Sequence, residues 1–164
     1  RIGEGGRVVA DASKRHTDAF TLIRSVVVAV DASEHLLVYG TLMQGSAHPA
    51  ARLLEQHARL LGEASFSGRL YSLGWYPGAV RSEGVRDRVF GELFELRRAG
   101  RVLDALDRYE GCADESRKPH LYSREIVTAR LGDGDEFDAW VYLYARDVSR
   151  LLPIPGGRWQ GRRR

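Results

Sequence analysis

The alternation of apolar and polar residues sharpens at His35. Leu36-Leu37-Val38-Tyr39 is a short unbroken apolar run stopped by Gly40, the pattern of a buried strand. Gly45-Ser46-Ala47-His48-Pro49 reads as a helix start, with Ser46 as N-cap and Pro49 in the first turn. Leu53, Leu54, His57, Leu60 and Leu61 then recur at helical spacing, and Gly62 is the expected stop. Residues 64–72 alternate, with Ala64, Phe66, Gly68 and Leu70 on one face, which predicts a strand. Trp75-Tyr76-Pro77-Gly78 reads as a turn or loop. Residues 89–96 form a second strand-like run, with Phe90, Phe94 and Leu96 on one face. The pattern then predicts a helix over 101–110 that ends at Gly111, and a polar loop over 113–120. Two strand-like runs, 121–131 and 136–145, are joined by Gly132-Asp133-Gly134-Asp135, whose residues tolerate positive φ and so signal a hairpin.

Strands dominate and helices are few. The order predicts a single α+β domain built on a mixed, strongly curved sheet or small barrel. Its expected bounds are 35–147. Residues 1–34 contain Gly3, Gly5 and Gly6 and few aromatics, and read as an extension of uncertain order with a short strand near Ile23 to Val30. Residues 148–164, with Pro153, Pro155 and Arg162-Arg163-Arg164, read as an irregular basic tail.

Composition narrows the function classes. The net charge is +3, but the positive residues are nearly all arginines interleaved with Asp and Glu rather than gathered on one face, so no nucleic-acid partner is expected. The apolar run Val26 to Val30 is far too short to span a bilayer, and no clean cleavage site follows it, so neither a membrane segment nor a secretory signal is expected. A single cysteine, Cys112, allows no disulfide within the chain and suits a reducing, cytoplasmic setting. The five histidines show no metal-ligand spacing, Gly3-x-Gly5-Gly6 lacks the flanking elements of a phosphate loop, and Cys112 with His120 matches no cysteine-hydrolase pattern. No metal and no cofactor are expected. The sequence carries no signal for an oligomeric state.

Chemistry concentrates at two places. In the helix over 101–110, Val102, Leu103, Leu106, Tyr109 and Glu110 share one face, while Asp104, Asp107 and Arg108 lie off it. Glu110 therefore sits on the apolar stripe and at the negative end of the helix dipole. Both placements disfavour its charged form and raise its pKa toward neutrality, as general acid–base work requires. A structural hydrogen-bonding role for Glu110 stands beside that reading. The second place is Tyr39-Gly40-Thr41-Leu42, where Gly40 permits close backbone approach to a ligand and successive amides can form an anion nest.

Taken together, these segments resemble the gamma-glutamylcyclotransferase-like family. The Tyr39-Gly40-Thr41-Leu42 loop with Gly45 resembles its opening signature, and Asp107-Arg108-Tyr109-Glu110-Gly111 its catalytic glutamate segment. Pro77-Gly78-Ala79-Val80, Val89-Phe90-Gly91-Glu92-Leu93-Phe94 and Leu121-Tyr122-Ser123-Arg124 follow in the family's order, so the likeness covers about residues 36–145. The resemblance implies a small barrel with a cavity at its mouth. It implies release of 5-oxoproline from gamma-glutamyl amides, with Glu110 as acid/base, the backbone of Tyr39 to Leu42 holding the glutamyl group and Tyr122 lining the pocket. A non-catalytic small-molecule binder on the same fold is the alternative.

Overall fold

The computed structural model describes residues 34–161. The strand expected near Ile23 to Val30 and the arginines at 162–164 lie outside this range. The elements are β1 (His35–Val38), α1 (Pro49–His57), β2 (Ala58–Ser72), β3 (Pro77–Arg81), β4 (Arg88–Leu96), α2 (Ala99–Glu110), β5 (Tyr122–Leu131), β6 (Glu136–Tyr144) and β7 (Leu152–Pro153).

Strands β2, β4, β1, β6 and β5 are hydrogen-bonded in that order, and β5 pairs back onto β2 at Ala64–Leu131 and Ser65–Arg130. The sheet therefore closes into a five-stranded barrel. All its pairings are antiparallel except β1 with β6, which meet in parallel at Leu36–Trp140. The long β2 makes the closure possible. Its first half pairs with β4 and β5, and its second half leaves the barrel to pair with β3 and β7. The register shifts between Leu60 and Gly62, a bulge that bends the strand.

Alternation on β1 seats two cores. Leu37 and Tyr39 face the barrel interior with Phe66, Val89, Leu93 and Val141. Leu36 and Val38 face outward into a second cluster with Leu54, Phe94, Leu103 and Leu106, which docks both helices on the barrel wall.

Three expectations about local structure are corrected. The first helix ends at His57 and runs directly into β2, so Leu60 and Leu61 are strand residues and Gly62 is the bulge, not a helix stop. Leucines at 53, 54, 60 and 61 fit a helix, but the last two fit an alternating strand equally well. The N-cap is His48, whose Nδ1 accepts from the Ala50 amide at 3.1 Å, while Ser46 Oγ accepts from the His48 amide at 3.3 Å. The turn around Trp75 and Tyr76 is followed at Pro77 by a strand rather than more loop.

The boundary placed at residue 147 is also too early. Leu152 and Pro153 pair with β2, and the Ile154 amide donates to Leu70 O at 2.7 Å. Arg158 lies 4.0 Å over the Phe90 ring and pairs with Glu63, and Trp159 packs on the barrel core. Polar composition hid this stretch because it is held by ladder bonds and an arginine–aromatic contact rather than by an apolar period.

Candidate active site

Helix α2 carries its chemistry at its last residue. Val102, Leu103 and Leu106 are buried against the barrel, which fixes the face of the helix that Glu110 continues. Gly111 caps the helix at φ 67°, in the left-handed region, and the Cys112 and Ala113 amides both donate to Asp107 O. The C-terminal turn is thus closed by the backbone. The chain can leave the helix while Glu110 stays turned toward the barrel mouth.

A second set of contacts holds this turn. Asp107, expected off the buried face, is drawn inward: its Oδ1 accepts from the Tyr142 hydroxyl at 2.7 Å and lies 3.1 Å from Arg124 Nε. Arg124 in turn sits 4.6 Å over the Trp140 ring. The Arg124–Asp107 pair and the Tyr142–Asp107 bond tie α2 to β5 and β6. The nearby Cys112 thiol is pushed up to about 12, by burial first and by Asp107 second, so it is held as a neutral thiol.

A cavity of about 380 Å³ opens at the barrel mouth. Every site residue picked out from the sequence lines it: Tyr39, Gly40, Thr41 and Leu42 from the loop after β1, Tyr122 from β5 and Glu110 from α2. Sequence reasoning did not assign His48, Tyr109, Leu121 and Tyr142, which also line it. His48 was legible only as a residue before a proline, and Tyr109 only as a member of the apolar stripe. Their rings meet at a tilt of 51° with centroids 4.4 Å apart.

Two tyrosines expected at the site are fastened by their hydroxyls to the scaffold. Tyr39 Oη donates to Tyr142 O at 2.5 Å and accepts from the Ala79 amide at 3.2 Å. Tyr122 Oη donates to Pro77 O at 2.8 Å. Burial drives both phenols above their ordinary range, and the Glu110 charge adds to this. Both hydroxyls are engaged with the scaffold rather than free in the cavity.

The polar groups left over are few. Among the described residues the Glu110 carboxyl makes no hydrogen bond or ion pair, and burial alone raises it from 4.5 to about 7. Opposite it, the amides of Gly40, Thr41 and Leu42 donate to no acceptor among the described residues. Three unspent donors and one unpartnered carboxyl in a cavity lined mainly by aliphatic and aromatic side chains form the combination expected of a ligand site.

Gly40 is needed here for a reason beyond ligand approach. A Cβ at this position would lie 2.8 Å from Pro77 Cγ, so the loop and the start of β3 fit together only without a side chain. We expect Gly40→Val to push the loop off Pro77 and to raise KM at least tenfold, with a smaller change in thermal midpoint, as measured by steady-state kinetics and thermal melts.

No metal-like group of three His, Cys, Asp or Glu occurs among the described residues, and no described helix is long and apolar enough to cross a membrane.

The fold and cavity define a class: a small closed barrel whose mouth sets one titratable carboxyl against a glycine turn. Residues 36–161 match the family described as gamma-glutamyl cyclotransferase, AIG2-like, and the chain belongs to this gamma-glutamylcyclotransferase family. The gamma-glutamylcyclotransferase family protein YtfP of Escherichia coli strain K12 is 35% identical over 130 residues, covering 77% of this chain and 96% of that protein. The solution structure of YtfP from Escherichia coli matches with a TM-score of 0.51 at 33% identity, over 77% of this chain and 96% of that one. The crystal structure of an AIG2-like protein from Mus musculus matches with a TM-score of 0.57 at 25% identity, over 80% and 97%.

Proposed function

We propose that this protein cyclises the gamma-glutamyl group of a gamma-glutamyl amine or amide, releasing 5-oxoproline and the free amine, with Glu110 as the group that moves the protons. The observation that carries this reading is the Glu110 carboxyl: half-buried, unpartnered among the described residues, at the cavity wall and raised by desolvation to about 7. A structural carboxylate in such a place would be expected to have a hydrogen-bond or ionic partner.

The chemistry needs little else. The nucleophile is the substrate's own α-amine, which closes a five-membered ring on the γ-carbonyl carbon. Ionised Glu110 takes a proton from the α-ammonium. The nitrogen bonds to the carbonyl carbon, and negative charge builds on the carbonyl oxygen. The carbon–nitrogen bond to the departing amine breaks as Glu110 delivers a proton to that nitrogen. Two protons leave the attacking nitrogen and two arrive at the departing one, each through the same carboxyl. A pKa near the working pH suits a group that must both accept and donate. The free amides of Gly40, Thr41 and Leu42 suit the substrate carboxylate or the developing oxyanion. The aromatic walls hold the chain folded for ring closure and keep water out.

The test is 5-oxoproline release from a panel of gamma-glutamyl amides across pH. Because the free enzyme must start with Glu110 ionised, kcat/KM should rise tenfold per pH unit below about 7 and level off above it. Release from no member of the panel would overturn the reading. A flat profile between pH 5 and 8 would remove Glu110 from the proton transfers.

A further inference from the structure

A second cavity, of about 750 Å³, lies on the other side of Glu110 and shares Tyr109, Glu110 and Leu121 with the first. The two differ in charge. The first is lined by no lysine or arginine. The second is lined by Arg117, Lys118 and Arg146, and Glu110 is its only carboxylate. Arg146 is held in place by a bond from its Nη2 to Pro119 O at 2.8 Å. None of the three cations pairs with a carboxylate among the described residues, although Arg59, Arg69, Arg81, Arg108, Arg124, Arg130 and Arg158 all do.

We infer that this second cavity is an anion subsite for the departing amine, so that the preferred leaving groups carry a carboxylate or another anion away from the nitrogen that is released. The inference rests on the cyclotransferase reading above. The argument is positional. The bond that breaks must lie at Glu110, because Glu110 hands its proton to the departing nitrogen. The glutamyl group occupies the side with the free loop amides, and the leaving group extends to the other side. There it meets three cations that pair with no carboxylate among the described residues. A cationic or neutral leaving group would leave that charge unmatched. An anionic one is drawn toward the cavity and positioned in it.

The experiment compares leaving groups matched in size and differing in charge. Gamma-glutamyl conjugates of β-alanine and of 5-aminopentanoate are set against the conjugates of their primary amides and of 1,5-diaminopentane, with 5-oxoproline release as readout. At low salt we expect at least one acid to exceed its amide about fivefold or more in kcat/KM, with the diamine poorest. The sites are exposed, so the ratio should fall toward one in 0.5 M salt. The double reversal Arg117→Glu with Lys118→Glu should take the acid-to-amide ratio below one. Amides equal to or better than acids at both lengths, or a ratio the double variant leaves unmoved, would overturn the subsite while leaving the cyclotransferase reading in place. Release from no conjugate would overturn both.

Discussion

Glu110→Gln should turn over gamma-glutamyl amides at least about 10³-fold more slowly than the wild type while still binding them, because the amide keeps the shape of the carboxyl but takes up no proton. Release of 5-oxoproline measures the first half and ligand-induced thermal shift the second. Turnover within tenfold of wild type would sink the mechanism. The same variant has a second expected result that does not depend on any substrate. Burial places the folded-state pKa of Glu110 near 7, above its ordinary 4.5. Below about 4.5 the group is protonated whether the chain is folded or not, and burial costs nothing through ionisation. As pH rises through 7 the folded protein must hold a buried charge, and that share of stability is lost. Glutamine escapes this. Its stability relative to wild type should therefore improve by about 3 kcal/mol between pH 4.5 and pH 8, read from urea unfolding at the two pH values. A constant difference would mean that Glu110 is solvated or partnered in solution.

Gly91 should be the least replaceable residue in the barrel. A Cβ there would lie 2.0 Å from Val38 O and 3.0 Å from Tyr39 Cα, a clash of backbone on backbone that no rotamer relieves. Gly91→Val should cost at least about 4 kcal/mol or give no folded protein, with far-UV circular dichroism and urea unfolding as the readout. Gly100→Ala is the contrast: a Cβ at that position meets nothing within 4 Å, and the residue lies in α2. It should gain up to about 1 kcal/mol in helix propensity. The neighbour of Gly91 explains why these two residues occur together. Glu92 Oε2 accepts from the Gln44 amide at 2.7 Å, so Gly91 lets the end of β1 come close and Glu92 ties down the loop that leaves it. The Gly91-Glu92-Leu93-Phe94 segment is thus a clamp on the cavity-lining loop.

The residues that line the cavity could be picked out from sequence because their key signal is a local contradiction. A glutamate on the apolar stripe of α2 is unfavourable in any fold that buries that stripe, and a glycine after a short apolar strand marks a backbone without room for a side chain. What could not be read was anything set by closure. Asp107 looked like a surface residue because its partners, Tyr142 and Arg124, arrive from strands far along the chain. His48 carried no pattern as a helix cap, and Leu60 and Leu61 fit two periods at once. The cation-lined cavity was invisible for the same reason: Arg117 and Lys118 meet Arg146 only once the loop after α2 folds beside the end of β6. Charge along the chain looked evenly mixed; charge around Glu110 is not.

The closed sheet also bears on how the protein behaves in a crowded solution. An open sheet ends in strands whose free amides and carbonyls can recruit another chain, and aggregation starts there. Here the five barrel strands have no outer edge, and the strands that leave the barrel end bluntly. β7 is two residues long and contains a proline, and β3 begins with Pro77 and ends at Arg81, which is paired with Glu125. Among the described residues little backbone is left to template growth, so the topology itself, rather than surface charge, works against edge-to-edge association.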